Sequence, residues 1–516
     1  MLELIFILSF ALFVRLLPVR YSVIDFDTWG HVYFASEVKK QNATPWGSIK
    51  LQCWQSDNFR HPYLWHYLVG RVPLGLLLPN LKWFNGILDA LFATFIYVIV
   101  NKVFGDAGMA VTGFMLYLFS PMWFSSIAMG TRVSSFTPRL SSEILVNLVL
   151  ILILFDLGLP DWLRFGLAIL ASTSVLLLSK FGNQALLFIL PLTYLFSGSL
   201  QSWDLLMVLI VSMVLLFLVS GGEALDTLKR QFSHLIEYYR MNLREKSKPN
   251  TLANRNQISN LIAISNESGF DFYKSVWNIL ANNSYTSVIF KLPLYIAVIG
   301  MAIMSLYSVN TQLTPQIFAP LMAATLLFFL INRPNFLFLG EAERYLSHVA
   351  FFIIIAGVHL AQNLDLVWPL WVLIFYGASY WLCECFLINR LTAKKGRQDA
   401  DMVVEKFLSE QGRKRLVNSF PYHNFSLYRI MLLTKHEVLI PDHMKGNLRE
   451  KFKSTYESRY GYLDLNKLDE IHQITSLNTI IIDKMALISE GFSDWTPSKD
   501  WEKVELHQSV YDIYQR

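Results

Sequence analysis

Charged residues and cysteines are both scarce in this sequence. Only 16% of its 516 residues are Asp, Glu, Lys or Arg, against roughly 25% in soluble globular proteins. The three cysteines, Cys53, Cys383 and Cys385, match neither a disulfide framework nor a zinc-binding pattern. The formal net charge of +5 is small for this length, so the composition does not indicate a nucleic-acid partner. These shortages argue against a soluble, disulfide-stabilised or nucleic-acid-binding protein.

Hydrophobic residues instead make up 53% of the chain, and aromatic residues 15%. Runs of about 20 apolar residues are typical of transmembrane helices, and we predict about 11 of them here. The first run lacks a basic start and a small-residue cleavage site, so we interpret it as a retained span and not as a signal peptide. The predicted spans are Leu2–Leu17, Trp83–Val103, Met109–Ala128, Leu140–Phe155, Trp162–Ser179, Ala185–Phe196, Leu205–Val219, Val288–Leu306, Pro315–Ile331, Tyr345–Leu360 and Val367–Ile388.

Three long polar segments remain outside these spans, at residues 19–80, 220–287 and 391–516. An odd number of spans precedes the last segment, which places all three on one face of the membrane. We therefore expect a transmembrane domain over residues 1–390, with the first two segments as its outer loops. The opposite face keeps only short turns, whereas an alternating-access carrier is expected to be more even, often with internal repeats.

The C-terminal tail, residues 391–516, alternates helical and strand patterns, which favours a small soluble α/β domain. It contains no glycine-rich phosphate loop, so we expect no nucleotide site in it. The predicted helices are Asp399–Gln411, Asn447–Arg459 and Leu463–Ile474. The predicted strands are Arg415–Ser419, Arg429–Leu433, Thr479–Asp483 and Ser509–Tyr514.

Two carboxylates, Asp25 and Asp27, follow the first span closely. Acidic side chains this near to a bilayer are costly unless they face water or take part in chemistry. Two residues apart on an extended segment, they point to the same side. One could then act as a general base or metal ligand while the other tunes it. The alternative is a solvated loop in which Asp27 caps a helix over Thr28–Gln41.

The same loop holds His31, Arg60 and His61. Arg60 or His61 would bind an anionic headgroup or position a substrate. The alternative is an interfacial anchor, because Tyr63 and Trp65 are typical of the aromatic belt at a membrane surface.

Further cations border the spans on the same face. Arg139 and Lys180 lie at span ends, with the acidic Glu143 close by in sequence. They would contribute to a site for an anion at a membrane entry point. The alternative is that these long side chains only extend from the helix ends toward water.

Arg344 and His348 lie four residues apart at the start of the tenth span, so they share one helical face. A helix N-terminus that carries an arginine and a histidine is a reasonable phosphate site. The alternative is intrahelical ion pairing of Arg344 with Glu341 or Glu343.

Together these features resemble the C-type glycosyltransferase superfamily of polytopic membrane enzymes. Residues 24–31 (IDFDTWGH) are similar to the acidic-aromatic-Asp motif of oligosaccharyltransferase catalytic subunits. Residues 59–66 (FRHPYLWH) are similar to the His/Pro/aromatic segment that ends the same loop. Residues 341–345 (EAERY) resemble the Glu-Arg-Phe/Tyr segment of lipid-linked mannosyltransferases. The helix count, the one-sided loops and the α/β tail fit this superfamily too.

The chain departs from the oligosaccharyltransferases in two places. Where they carry a second acidic motif, this sequence has Phe136–Arg139 and only Glu143 is acidic. Their Trp-Trp-Asp sequon-reading motif is also absent. The resemblance therefore implies transfer of a single sugar from a polyprenyl-phosphate donor, and a divalent metal (Mg or Mn) held by Asp27 and Glu143 becomes optional.

The resemblance also implies an inverting mechanism, with Asp27 as the base and Asp25 as the second candidate. It implies a glycan, lipid or protein acceptor, and surrounding membrane lipids as further partners. The implied substrate-binding residues are His31, Arg60, His61, Arg139, Lys180, Arg344 and His348.

The resemblance places the protein in the inner (plasma) membrane with its catalytic face periplasmic or extracytoplasmic. Basic residues usually mark the cytoplasmic side, and the polar segments on the working face carry several, such as Lys39, Lys40 and Lys50. We follow the resemblance, because a site for an anionic lipid needs cations on either side.

Other function classes remain open from the sequence. A polytopic transporter would need charged residues deep in its spans; the candidates Asp89, Asp156 and Glu384 have no partner at helical spacing. A different lipid-modifying enzyme, or a non-catalytic membrane scaffold, would share the one-sided loops.

Overall fold

The computed structural model describes residues 2–20, 24, 26–124, 133, 135–198, 203–244, 283–306, 314–388, 395–421, 425–459, 462–489, 492, 494–506 and 510–516. The chain forms two compact units. We call Met1–Ser22 with Pro79–Leu391 the membrane unit, and Val23–Leu78 with Thr392–Arg516 the loop–tail unit. The tail begins within two residues of the predicted boundary at residue 390, but the first loop groups with the tail and not with the transmembrane domain. Hydropathy shows which segments leave the membrane, but not which of them share a core.

The helices account for most of the described chain. In the first half they are α1 Leu2–Val19, α2 Phe26–Lys40, α3 Leu64–Val69, α4 Leu74–Phe104, α5 Ala107–Leu118, α6 Pro121–Phe124, α7 Arg139–Leu154, α8 Asp161–Leu178, α9 Lys180–Ser197, α10 Trp203–Ser220 and α11 Glu223–Arg244. In the second half they are α12 Ser284–Lys291, α13 Pro293–Leu306, α14 Pro315–Ile331, α15 Glu343–Ser347, α16 Ala350–Asn363, α17 Val367–Cys383, α18 Lys395–Glu410, α19 Leu427–Leu433, α20 Gly446–Tyr456, α21 Leu468–Thr475 and α22 Lys484–Ser489. Short 3₁₀ turns cover Pro334–Leu339, Pro441–His443 and Leu465–Lys467, and a π turn covers Glu384–Ile388.

The strands are fewer and lie in the loop–tail unit. They are β1 Ser48–Lys50, β2 Asn58–Arg60, β3 Leu416–Phe420, β4 Glu437–Val438, β5 Glu457–Arg459, β6 Tyr462–Leu463, β7 Thr479–Asp483, β8 Glu502–Val504 and β9 Tyr511–Gln515.

Five helices in the described residues are long and apolar enough to cross a membrane: α1, α4, α8, α10 and the segment Val367–Phe386 that contains α17. The pair α12 and α13 passes the same test as a whole, but an 86° bend separates its halves. The continuous span predicted over Val288–Leu306 is therefore broken. The break falls at Pro293, because a proline restricts the residue before it and cannot donate a backbone hydrogen bond. Helices α5, α14 and α16 are apolar but shorter, and the number of eleven spans stays a prediction.

A buried ion pair joins three helices of the membrane unit. Arg15 on α1 contacts the carboxylate of Asp89 on α4, and both side chains are fully buried. The second carboxylate oxygen accepts a 2.6 Å hydrogen bond from the hydroxyl of Tyr117 on α5. Arg15 also donates to the carbonyl of Leu118 over 2.6 Å. Asp89, which spacing left without a partner, is therefore neutralised, and one argument for a transporter is lost.

The loop–tail unit is built around a five-stranded mixed sheet with strand order β4-β3-β7-β9-β8. Strand β3 pairs in parallel with β4 and β7, whereas β9 pairs antiparallel with β7 and β8. Both central strands, β3 and β7, are buried along their whole length, as expected of strands covered on both faces. The predicted strand Thr479–Asp483 is confirmed to the residue, and those near 415–419 and 509–514 are confirmed within two residues at either end.

One predicted strand is wrong. Residues 429–433 belong to the helix α19 and not to a strand. Their pattern Arg-Ile-Met-Leu-Leu is a short apolar run, which periodicity alone does not assign to strand or helix. The predicted tail helices are present, although the one over Asn447–Arg459 ends at Tyr456 and continues as strand β5.

The first loop supplies part of the core beneath the sheet. Tyr33, Phe34 and Val38 of α2 pack in one buried cluster with Val417 of β3 and Leu427 of α19. Backbone hydrogen bonds add the loop to the edge of the sheet: the Trp54 amide donates to the Val438 carbonyl over 2.9 Å. The loop and the tail therefore fold as one body.

Candidate active site

Asp27 lies in the first turn of α2, and its side chain is exposed. The helix begins at Phe26, so Asp27 lies inside the helix and not at the cap position before Thr28 that the sequence suggested. A carboxylate in a first turn is favoured by the partial positive charge of the helix N-terminus. Asp25 lies outside the described residues.

The tail fixes the position of this helix. Gly30 faces the ring of Tyr428 on α19, and a Cβ atom at this glycine would lie 3.2 Å from two ring carbons. The ring of Phe26 also packs against Tyr428, with 5.0 Å between centroids. The Arg429 guanidinium lies 5.0 Å from the centre of the Trp29 ring, and it contacts Glu405 of α18 over 2.5 Å. The first turn of α2 is therefore held on α19 by ring contacts on both sides of Asp27.

Three histidines of the first loop come together. His31 Nδ1 and His66 Nε2 lie 2.8 Å apart, a hydrogen-bond distance. The ring of His61 is 5.5 Å from His66 and 6.4 Å from His31. His66 is fully buried, and this burial, with the neighbouring His31 and His61, lowers the pKa of His66 well below its usual range. The structure thus brings together the predicted residues His31 and His61 around a neutral His66.

Aromatic residues extend this cluster into the tail. His61 stacks on Phe59, with centroids 6.0 Å apart and planes 10° apart. Phe59 also contacts His443, with centroids 4.9 Å apart, and the Tyr428 hydroxyl lies 2.9 Å from His443 Nε2. Arg60 ends strand β2 opposite Ser48 of β1 and is half-buried. The sequence did not single out Tyr428 or His443, because their proximity to the first loop depends on the fold of the tail.

A second cluster lies in the membrane unit, around the ring of Phe181. The Arg344 guanidinium lies 4.1 Å from the centre of this ring, and that of Arg139 lies 5.5 Å from it. The adjacent Lys180 begins the same helix, α9. Two of the predicted substrate-binding cations, Arg139 on α7 and Arg344 on α15, therefore lie at one ring of α9. Phe181 was not predicted as a site residue, although its place directly after Lys180 was a signal.

Acidic residues accompany these cations. Arg344 forms an ion pair with Glu341, and the two side chains are 13% and 19% exposed. This pair is the alternative that the sequence raised for Arg344. Glu343 is buried and accepts a hydrogen bond from the Ser284 hydroxyl, and burial raises the pKa of the Glu343 carboxyl. Gly340, which precedes the pair, adopts a positive φ of 98°, a conformation that favours glycine.

His348 follows α15 and is buried, with its Nδ1 2.8 Å from the Arg344 carbonyl oxygen. Glu143 is buried on α7, one turn after Arg139. The predicted metal ligands Asp27 and Glu143 belong to different units. Within the described parts of the chain, no group of three or more His, Cys, Asp or Glu side chains is arranged to hold a metal ion. A metal held by Asp27 and Glu143 stays a prediction.

No protein-family model and no curated protein matches the sequence. Solved structures do match. One is an archaeal oligosaccharyltransferase, AglB from Archaeoglobus fulgidus, solved in complex with an inhibitory peptide and a dolichol-phosphate. It is 12% identical to this chain, with a TM-score of 0.50, and the match covers 93% of this chain and 69% of the AglB chain. The structure of the oligosaccharyltransferase from the same organism with Zn and sulfate gives a TM-score of 0.52 at 12% identity, and the match covers 98% of this chain and 72% of that one. ArnT from Cupriavidus metallidurans, bound to undecaprenyl phosphate, is 11% identical with a TM-score of 0.42, covering 99% and 97%.

The chain has a fold similar to that of the archaeal oligosaccharyltransferase AglB. At this level of identity the similarity shows the fold alone. It agrees with the fold that the resemblance implied, whereas the roles of individual residues stay predictions.

Proposed function

We propose that this protein is a membrane glycosyltransferase that moves a sugar from a polyprenyl-phosphate donor to an acceptor hydroxyl. The observation that carries the proposal is the pair of guanidinium groups on the Phe181 ring. Arginines bind phosphate through charge-assisted hydrogen bonds. Two of them at one ring make a fitting site for a phosphate at the end of a lipid chain.

The aromatic ring explains how two like charges are kept together. A guanidinium within about 6 Å of a ring centre is attracted to the ring face, and Glu341 neutralises part of the charge. Arg139 and Arg344 are thereby both held at the Phe181 ring. The solved complexes of the archaeal oligosaccharyltransferase with dolichol-phosphate and with sulfate support an anion site in this fold.

In the proposed reaction, Asp27 takes the proton from the acceptor hydroxyl. The hydroxyl oxygen attacks the anomeric carbon with inversion, and the bond from that carbon to the phosphate oxygen breaks. Polyprenyl phosphate leaves with the electron pair, and cations such as Arg60, Arg139 and Arg344 stabilise the charge that develops on it. A phosphate leaves readily without a general acid, so a second carboxylate of the kind found in soluble glycoside hydrolases is not needed.

We further propose that the catalytic face is periplasmic or extracytoplasmic, in the inner (plasma) membrane. The acceptor is a glycan, a lipid or a protein, and the sugar is a hexose or pentose unit. The histidine and aromatic side chains of the loop–tail unit support a role for that unit in acceptor binding.

The test is incubation of the purified protein with a panel of radiolabelled polyprenyl-phosphate sugars, measuring donor binding and release of polyprenyl phosphate. Arg344→Ala should weaken donor binding about 10- to 150-fold, because a hydrogen bond to a charged group is worth roughly 1.5–3 kcal/mol. The matched control is Arg164→Ala, another half-buried arginine that pairs with a carboxylate three residues away, Asp161. Unchanged donor affinity in Arg344→Ala would leave this arginine as a structural ion-pair partner and remove the main support for the proposal.

A further inference from the structure

A groove of about 430 Å³ runs along α1 at its contact with α4, far in sequence from the Phe181 cluster. Its lining is almost wholly apolar and ends in a cation; the lining residues are Leu12, Phe13, Leu16, Leu17, Trp83 and Arg20. Its volume is within the range of small-molecule sites, roughly 300–1,000 Å³. The proposed sugar transfer uses none of these residues.

The groove follows from helical spacing. Leu12, Leu16 and Arg20 are four residues apart, so they form one line along α1 and its C-terminal end. Eight residues of helix extend about 12 Å, a length that suits part of a lipid tail. At Gly86 the two helices touch: a Cβ atom there would lie 2.8 Å from a methyl carbon of Leu16. Phe13 is 55% exposed on the outer side, so the groove is open toward surrounding lipid.

Two cations lie at one end of this apolar line. The Lys82 ammonium donates to the backbone carbonyl of Arg20 over 3.2 Å and lies 4.9 Å from the centre of the Trp83 ring. A lysine has three donors, so an anion beside Lys82 could accept a hydrogen bond from it. An apolar groove that ends at two cations is complementary to a lipid with an apolar tail and a phosphate head.

We propose that this groove binds an anionic phospholipid of the surrounding bilayer, with one tail along Leu12 and Leu16 and the phosphate beside Arg20 and Lys82. The occupant is a bilayer lipid and not the glycosyl donor, because the groove opens outward at Phe13 and the donor phosphate has its own cation cluster at Phe181. Cations near the membrane surface attract anionic lipids, and the groove adds a place for the tail. The choice of a bilayer lipid over the donor rests in part on the proposed function, whereas the groove and its cations do not.

Native mass spectrometry of the full chain tests the proposal, with phosphatidylglycerol and phosphatidylcholine as probes. We expect retention of phosphatidylglycerol over phosphatidylcholine. The double variant Arg20→Gln/Lys82→Gln should lower phosphatidylglycerol affinity about 30-fold, as expected for two cations near an anionic lipid. Lys102→Gln, a cation at the opposite end of α4, should not change it.

A second variant tests the groove separately from the charges. Leu12→Trp keeps both cations and fills the groove away from the close helix contact at Gly86, and it should reduce retention of phosphatidylglycerol while thermal stability stays near wild type. Equal retention of the two lipids by the wild type, or unchanged affinity in the double variant, would overturn the proposal. Retention of undecaprenyl phosphate in place of phosphatidylglycerol, with the same dependence on Arg20 and Lys82, would show that the occupant is the donor and overturn it as well.

Discussion

Replacing Asp27 by Asn separates the catalytic role of this carboxylate from a structural one. The side chain is exposed in the first turn of α2, and Asn keeps its size and most of its hydrogen bonding. The structural contribution of a first-turn carboxylate is its attraction to the helix N-terminus, less than about 1 kcal/mol at an exposed site. Loss of a general base costs roughly 10²–10⁴-fold in rate. The catalytic role therefore predicts a folded and nearly inactive variant.

The assay is transfer of labelled sugar from a polyprenyl-phosphate donor, at matched expression and thermal stability. Asp57→Asn is the control, because Asp57 is another exposed carboxylate in the same loop. It should retain wild-type activity. Activity of Asp27→Asn within a few-fold of wild type would refute the assignment. A large loss confined to Asp25→Asn would move the role two residues back.

Three further predictions follow from the charges. Glu341→Gln should strengthen binding of a polyprenyl-phosphate donor several-fold, because the anion no longer competes with Glu341 for Arg344; equilibrium binding measures it, and weaker binding would contradict it. The unfolded chain takes up a proton at His66 below pH about 6.5 while the folded protein keeps it neutral. The free energy of unfolding of the loop–tail unit should therefore fall by up to about 1.4 kcal/mol per pH unit below that pH. Hydrogen exchange of α3 amides measures this fall, which should be smaller in His66→Asn. An equally steep fall in His66→Asn would refute the prediction. Lys40→Cys in a Cys383→Ser background should react with an impermeant thiol reagent in intact cells; labelling only after permeabilisation would reverse the proposed orientation.

Sequence patterns predicted the bounds of helices and strands where hydrophobicity or β-branched residues gave a strong local signal. The run Thr479–Asp483 is β-branched, short and followed by a helix, and it forms the central strand β7 with the same bounds. Long apolar runs likewise gave the bounds of α14 to the residue and those of α8 within one. These elements are stabilised by burial of nearly every side chain or by an apolar environment, so composition alone identifies them.

Sequence patterns failed where contacts between residues far apart in sequence decide the secondary structure or the partner of a charged side chain. The run at 429–433 carries Arg429, whose charge is satisfied by Asp401 and Glu405 on α18; helical geometry places it there, and neither partner is near in sequence. Asp89 and Arg15 are 74 residues apart, so no spacing rule pairs them. The gathering of Arg139 and Arg344 was anticipated only as a shared face of the membrane, because the ring of Phe181 that brings them together lies on a third helix.

The shared core also changes how an acceptor role of the tail can be examined. If the tail were a separate domain, deletion of residues 399–516 would test its role directly. The structure makes α2 depend on it: Tyr33 and Phe34 pack against Val417 and Leu427, and burying an aromatic side chain of this kind stabilises a fold by roughly 1.5–3 kcal/mol. A truncated protein would expose these residues and release the helix that carries Asp27, so lost transfer would report unfolding and not acceptor binding. The acceptor role is therefore separable from folding only through substitutions at half-exposed positions that leave the core of the loop–tail unit intact.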